Sequence, residues 1–355
     1  MAKNYTELIN RVKRRSNPEN LINKRAVLEG VGIPYSQVGE YVKLAMVGVP
    51  PEYTNNSKVA AKKVMAHLEN SHGNEVTFKF QGSIETNTHI LKDNDIDLVQ
   101  ISNKSSSVDR QGLKKALDEH WNYTKTEYTN LKKHSDTFSQ YDGNQLSDLG
   151  KLRLKSEKVL KSIYNEVDID KPKAIFVKVT SPLRNVDVVT AVYHKTIPFM
   201  KSNHDYRKGI QVYDKSIDDK LPTEFPFWSI KRINEKSILS NGRLKKMIRF
   251  MKNVKWDTSL IVGKPKISSF DINAICYDIN LDIYASLNYL ELVRVIYNQI
   301  SKILIDTNYR DNLKSVDGQE SIFRGKSEKI EELRIFKAEI DSILTDIYLQ
   351  KIISV

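Results

Sequence analysis

At 355 residues, with 56 Lys and Arg against 44 Asp and Glu and a formal net charge of +12, the chain can bury a substantial core and suits polyanionic ligands, nucleoside triphosphates or nucleic acid alike. Its single cysteine, Cys276, excludes a disulfide framework and any cysteine-rich zinc module, and points to a reducing cytoplasm. No run approaches about 18 consecutive apolar residues, and Lys3, Arg11, Lys13, Arg14 and Arg15 sit among polar residues where a leader's apolar stretch would lie, so no membrane insertion is expected.

Residues 1 to 36 are basic, and Asn17-Pro18-Glu19-Asn20 predicts a helix start with Pro in its first turn, before Gly30, Gly32 and Pro34 break the pattern. Helices are predicted over Val38 to Val47 and Ser57 to His72, the second with Val59, Ala60, Val64, Met65 and Leu68 on one face for packing against a sheet. Phe78-Lys79-Phe80 reads as the end of a strand. Gly82-Ser83 then predicts a helix opening whose free N–H groups attract phosphate oxygens, with glycine letting the backbone come close to the anion. Ser83 to Ile90 is long enough for about two helical turns, and Lys92-Asp93-Asn94 is turn-like.

Asp95-Ile96-Asp97-Leu98 predicts a strand. Alternation sends Asp95 and Asp97 to one face and Ile96 and Leu98 to the other. Paired carboxylate oxygens on a rigid strand suit a hard divalent cation such as Mg2+. Asp93 shares the alternation, but the strand's apolar residues begin at Ile96 and favour Asp95 and Asp97. Residues 103 to 110 read as a polar loop beside this strand, either a substrate cover or a plain connector.

Helical patterns near 111 to 133 and 143 to 168 lead to strands at Ala174 to Val179 and Asn185 to Val192, joined by a turn holding Pro182. Asp187 is the one acid inside the second of these. A carboxylate in so apolar a stretch needs a metal or a cationic partner; Arg184 and Lys195 are the partner candidates, and metal ligation is favoured. A further strand is predicted at Gly209 to Tyr213. From Asn241 onward the pattern is helical, with core stripes over Leu281 to Ile305 and over Ser327 to Ile352, the latter through Ile330, Leu333, Phe336, Ile340, Ile343 and Leu344. Strands and helices mix without a repeated βαβ unit, which predicts an α+β fold. His67 and His72 fall on different helix faces and predict no metal site, while His194 and His204 flank the Asp187 region as candidate phosphate contacts.

Gly82-Ser83 with Thr88, Asp95-x-Asp97, and Val186-Asp187-Val188-Val189-x-Ala191 in this order resemble the polymerase-β-like nucleotidyltransferases, and within them the bacterial cGAS/DncV-like enzymes (CD-NTases). Gly242 to Asn253 resembles that family's basic helix, and Ile267 to Asn273 its following Ser-aromatic segment, so the likeness spans about residues 38 to 280. Asn87, where Gly commonly precedes the Thr, and Thr190, where Pro is frequent, depart from the pattern.

The resemblance implies a nucleotidyltransferase core of mixed sheet and flanking helices over residues 1–230, N-terminal helices included, and a mainly helical domain over 231–355. It implies two Mg2+ ions, with Mn2+ as a substitute, held by Asp95, Asp97 and Asp187. Gly82, Ser83 and Thr88 would bind the triphosphate, Lys252 and Ser269 would contact donor phosphates, and Phe270 would stack on a base. Read without the family, Lys252 is a solvated cation, Ser269 a cap for a helix near Asp271, and Phe270 a core residue. The implied activity is synthesis of a cyclic di- or oligonucleotide second messenger from ATP, with GTP, UTP and CTP as further substrates, in anti-phage (CBASS-type) signalling. A separate effector would sense the product, a regulatory partner protein is a further candidate, and nucleic acid is compatible but not required. The rivals are an RNA- or tRNA-modifying nucleotidyltransferase, toxins included, and a catalytically idle sensor on the same fold.

Overall fold

A computed structural model describes residues 3–16, 37–90, 95–258 and 266–353; the side chains of Asp95 and of residues 350–353 lie outside that description. So do the helix start expected at Asn17 to Asn20, the breaks at Gly30, Gly32 and Pro34, and the turn at Lys92 to Asn94. The chain forms two compact units. One joins residues 52–85 with 94–231, the other joins 1–51, 86–93 and 232–355.

The first unit is built on a seven-stranded sheet: β1 (Val76–Phe80), β2 (Asp95–Val108), β3 (Val167–Asp168), β4 (Ala174–Thr180), β5 (Leu183–Lys195), β6 (Gly209–Asp214) and β7 (Asp219–Lys220). The order is β1-β2-β5-β4-β3, with β6 also on β5 and β7 on β6. Among these pairings only β2 with β5 is parallel, the long crossover between them being largely helical. A helix at Pro51–His72 and another at Gln145–Ile163 cover one face, where Ala60, Ala61, Val64, Leu68 and Leu160 pack on Ile96, Leu98, Ile175, Val177, Val186 and Val188. Val59, expected on that packed face, is 37% exposed: with Ala60, Ala61 and Val64 at the sheet, position 59 rotates toward its edge. The opposite face carries Val99, Ile101, Val189 and Ala191 with Ile210 and Val212. Asp97 and Asp187 belong to this second face by alternation.

Three local expectations are corrected here. Residues 103 to 108 are not a loop: β2 runs on to Val108, and a register irregularity between Ser102 and Ser107 lets its end rejoin β5 at His194 and Lys195. The helix expected over 111 to 133 is two, Arg110–Asp118 and Lys125–Asp136, because Thr124 and Glu127 form a capping box that starts the second. Gly82 to Asn87 is a chain of turns rather than a regular helix. Gly82 at φ +77° and Asn87 at φ +50° are left-handed, and a right-handed helix holds neither.

The second unit is helical. Helices Tyr5–Ser16 and Gln37–Met46 share one apolar cluster with Arg243–Thr258, Ser269–Asp278, Tyr289–Ile305 and Ser327–Ile353, through Tyr5, Val38 and Tyr41 on one side and Phe250, Ile275, Ile296 and Phe336 on the other. The N-terminal helices, expected with residues 1–230, therefore build their core with the C-terminal helices. Polar ties reinforce it: Tyr41 Oη donates to Asp257 Oδ2 at 2.9 Å, and the Arg15 guanidinium reaches the same oxygen at 2.7 Å.

Candidate functional site

Asp97 of β2 and Asp187 of β5 are direct register partners across the parallel pair, so their Cα atoms stand about one strand spacing, ~4.8 Å, apart on one face. Asp95 enters β2 opposite Asn185; its side chain is outside the described residues. Two anionic groups this close on a sheet face repel unless a cation stands between or beside them. The turn that begins at Gly82 lies directly against Asp97. Gln81 N donates to the Asp97 carbonyl at 3.1 Å, and a Cβ at position 82 would run into Asp97 Oδ2 and force that carboxylate to move. The φ of +77° at Gly82 favours glycine as well.

Asp187 does have a cationic partner, but neither of the two considered from sequence. Lys171 Nζ donates to Asp187 Oδ1 at 3.0 Å and lies 4.7 Å over the ring of Phe176, the residue paired with Asp187 on β4. Lys171 is placed by Arg153, a buried guanidinium that donates to the carbonyls of Lys171 at 3.1 Å and Ala174 at 2.9 Å and pairs with Glu157 at 2.7 Å. Arg184 is committed elsewhere, to Ser57 Oγ at 3.0 Å and the face of Tyr53. Lys195 lies at the far end of β5, paired with Val108. The signal for Lys171 was a cation just before β4, which means little until β4 and β5 are paired.

The donor set is hard, all carboxylate oxygen, and the flexible, half-exposed Lys171 marks the point where positive charge is favoured; both suit Mg2+ or Mn2+. Among the described residues no cluster of three or more His, Cys, Asp or Glu side chains is assembled. A third ligand would have to come from Asp95.

Thr88 lies in the other unit and is fully buried, its hydroxyl 2.8 Å from that of Thr86. Asn87 holds a left-handed conformation, which glycine adopts freely and Asn more readily than most other residues. Arg249 fixes this turn by donating to Asn87 O at 2.7 Å and to Met46 O at 2.8 Å, and burial lowers its guanidinium pKa to about 10. Thr190 is explained too. Its Oγ1 accepts from Gln100 Nε2 at 2.7 Å inside a buried chain that runs on to Ser156 and His72, bonds that proline would not make.

Lys252 is 2% exposed on the basic helix, not a solvated cation. Its neighbours Lys245 and Lys246 have lowered pKa values, through burial first and then through nearby guanidinium groups, so the helix concentrates positive charge. Ser268, not Ser269, caps the Ser269–Asp278 helix, in a capping box with Asp271. Ser269 is left exposed on the first turn. Phe270 is 41% exposed, not core. Of the two histidines, His194 is depressed below its ordinary range by burial, and His204 stacks on Tyr206 with ring centroids 5.0 Å apart.

Residues 231–345 match the model of the cGAS/DncV-like nucleotidyltransferase C-terminal helical domain. A c-di-GMP synthase from a Flavobacteriaceae species is 50% identical over 99% of this chain and all of its own length. One from a Lachnospiraceae bacterium is 36% identical over 97% of this chain and 98% of its own. Among solved structures, a STING-associated CdnE c-di-GMP synthase from Flavobacteriaceae superposes with a TM-score of 0.90 at 51% identity, over 99% of this chain and all of that one.

Proposed function

Because this chain belongs to the cGAS/DncV-like nucleotidyltransferases and is a cyclic dinucleotide synthase, we propose that it joins two GTP molecules into c-di-GMP at a centre built on Asp97 and Asp187. The observation that carries the site assignment is the register of those two residues on adjacent parallel strands. The choice of GTP in both positions is supported by the activity of relatives that share half and more than a third of their residues with it along nearly their whole length.

In the first transfer a ribose hydroxyl oxygen of one GTP bonds the α-phosphorus of the other, and in the second a hydroxyl oxygen of the linear intermediate bonds the α-phosphorus of its own triphosphate. Each time the hydroxyl proton is lost to water, the bond from that phosphorus to the β-phosphate bridge breaks, and pyrophosphate leaves. Two such events close the ring and release two pyrophosphates. Bound Mg2+ or Mn2+ would lower the pKa of the attacking hydroxyl and neutralise the departing pyrophosphate, with Asp97, Asp187 and Asp95 as its protein ligands. The chain's own part is placement. Gly82 lets the backbone of the 82–87 turn approach phosphate oxygens beside Asp97, and Ser83 adds a hydroxyl. Lys171 compensates the charge of Asp187 until a stronger cation takes its place. Lys252 and Ser269 are assigned to phosphate contacts and the exposed ring of Phe270 to a base, as in the family they resemble.

The product would act as a second messenger in anti-phage defence, read by a separate effector; the STING association of the Flavobacteriaceae relative supports that setting. The test is the full chain incubated with each of four labelled triphosphates and Mg2+ or Mn2+, followed by phosphatase treatment and mass analysis. GTP alone should give a phosphatase-resistant product with the mass of c-di-GMP, absent in Asp97→Asn and Asp187→Asn proteins that melt as the parent does. Incorporation that requires an RNA primer would establish the RNA-modifying rival instead, and no turnover beside intact nucleotide binding the idle sensor.

A further inference from the structure

The sheet face that carries Asp97 and Asp187 opens, at its other end, into a cavity of about 1120 Å³. Val108 and Lys195 are partners at its far end on the same parallel pair, about 26 Å along the strand from Asp187 at ~3.3 Å per residue, while Lys79 at its near end pairs with Val99, two residues from Asp97. The irregularity of β2 between Ser102 and Ser107 makes the space, because the intervening residues leave the side of β5. None of Gly82, Ser83, Asp97 or Asp187 lines it.

Its chemistry is that of an anion receptor. Lys79, Lys104, Arg110, Lys195 and Lys208 line it against two carboxylates, Asp142 and Asp205. Lys208 pairs with Asp205 at 2.8 Å and lies 4.8 Å over the ring of Tyr193. The Asp205 carboxyl is held below its usual range, first by its hydrogen bond from Lys208 and further by the charges of Lys208 and Lys79. Lys195 is lowered by burial and then by the nearness of Lys208. Lys208 and Lys79 thus act on one carboxylate and Lys195 stands near Lys208, so three ammonium groups gather around a single acid. Arg110 stacks 4.3 Å over Phe138, and both line the cavity together with Tyr141.

We propose that this cavity binds a nucleotide, its phosphate chain on Lys79, Lys195 and Lys208 and its base against Phe138 and Tyr141. A cluster of ammonium groups with few carboxylates favours a multiply charged phosphate chain, and aromatic rings in the same lining favour a planar base. The volume is ample for one nucleotide, ligand pockets commonly spanning about 300–1,000 Å³. The site needs no divalent ion, because its charge compensation comes from lysines. It stands whether or not c-di-GMP proves to be the product.

The experiment measures GTP binding in EDTA by calorimetry, on full-length Asp97→Asn/Asp187→Asn protein, so that metal-dependent binding at the aspartates does not contribute. GTP should bind, inorganic tripolyphosphate should compete, and adding Lys195→Gln/Lys208→Gln should weaken binding by about tenfold or more, with Lys161→Gln as an inert control. If the double lysine change abolishes the thermal transition, Arg110→Gln replaces it and should weaken binding by about threefold. Absence of GTP binding in EDTA, binding indifferent to these substitutions, or displacement by an RNA oligomer but not by tripolyphosphate would each overturn the proposal.

Discussion

Gly82 and Asp97 are in such close register that the carboxylate of one occupies the space a side chain on the other would need. The 82–87 turn and strand β2 are therefore tied together at this point, held by the Gln81 N to Asp97 O hydrogen bond. Gly82→Ala should consequently do two things at once. The positive φ costs on the order of 1–2 kcal/mol for an L-residue, seen as a lower denaturation midpoint. The displaced Asp97 should remove product formation almost entirely. An active, equally stable variant would show that the turn does not abut the reaction.

At the proposed centre Lys171 and a metal ion would compete for Asp187, which the lysine holds at 3.0 Å. Lys171→Gln should tighten Mn2+ binding, read by calorimetry without nucleotide. The gain should be no more than about fivefold, because the lysine is substantially exposed and such pairs are worth about 0–1 kcal/mol. Weaker Mn2+ binding would mean instead that the lysine holds Asp187 in its ligating orientation.

Phe270 combines an exposed ring with a backbone fixed by the Ser268–Asp271 capping box and by the Lys329 to Asp271 ion pair at 2.6 Å. Phe270→Ala should leave the melting temperature unchanged and raise the KM for GTP by about tenfold, base stacking on an aromatic being worth about 1–3 kcal/mol. A fall in stability with KM unaltered would return Phe270 to a packing role.

Stability should fall on mild acidification. His72 is lowered by burial and by Lys155, and His194 mainly by burial. Their ordinary value of 6.5 is regained in the unfolded chain, which therefore binds more protons than the folded one once the pH drops through that value. The loss should begin near pH 6.5 and grow until the lower folded values are passed. His72→Gln, which can keep a hydrogen bond to Ser156, should flatten part of this decline in urea titrations at pH 7, 6 and 5. A parallel decline in variant and parent would absolve His72.

Short-range pattern was legible wherever one periodicity dominated. The strands at 76–80, 174–180 and 183–195 and the long helix from Ser327 follow from alternation and from an i, i+3, i+4 stripe. The pattern misled where two influences met. Serine-rich 103–108 lacks strand-like composition, yet it extends β2 because β5 offers a partner edge. The 82–87 segment was expected to be helical because its length allowed it, but two left-handed residues deny the helix.

The amino-acid sequence alone determined the resemblance to the nucleotidyltransferases: carboxylates two apart on a strand, a third acid in an apolar run, and a Gly-Ser pair before them are local facts that survive any packing. Only the tertiary structure decided which groups answer to which. The parallel pairing of β2 with β5 put Asp97 beside Asp187, a buried Arg153 delivered Lys171 to that carboxylate, and an irregular strand opened the lysine-lined cavity beyond. Those relations depend on register and on long-range hydrogen bonds, and a linear pattern carries neither, since residues distant along the chain become neighbours only when the sheet closes.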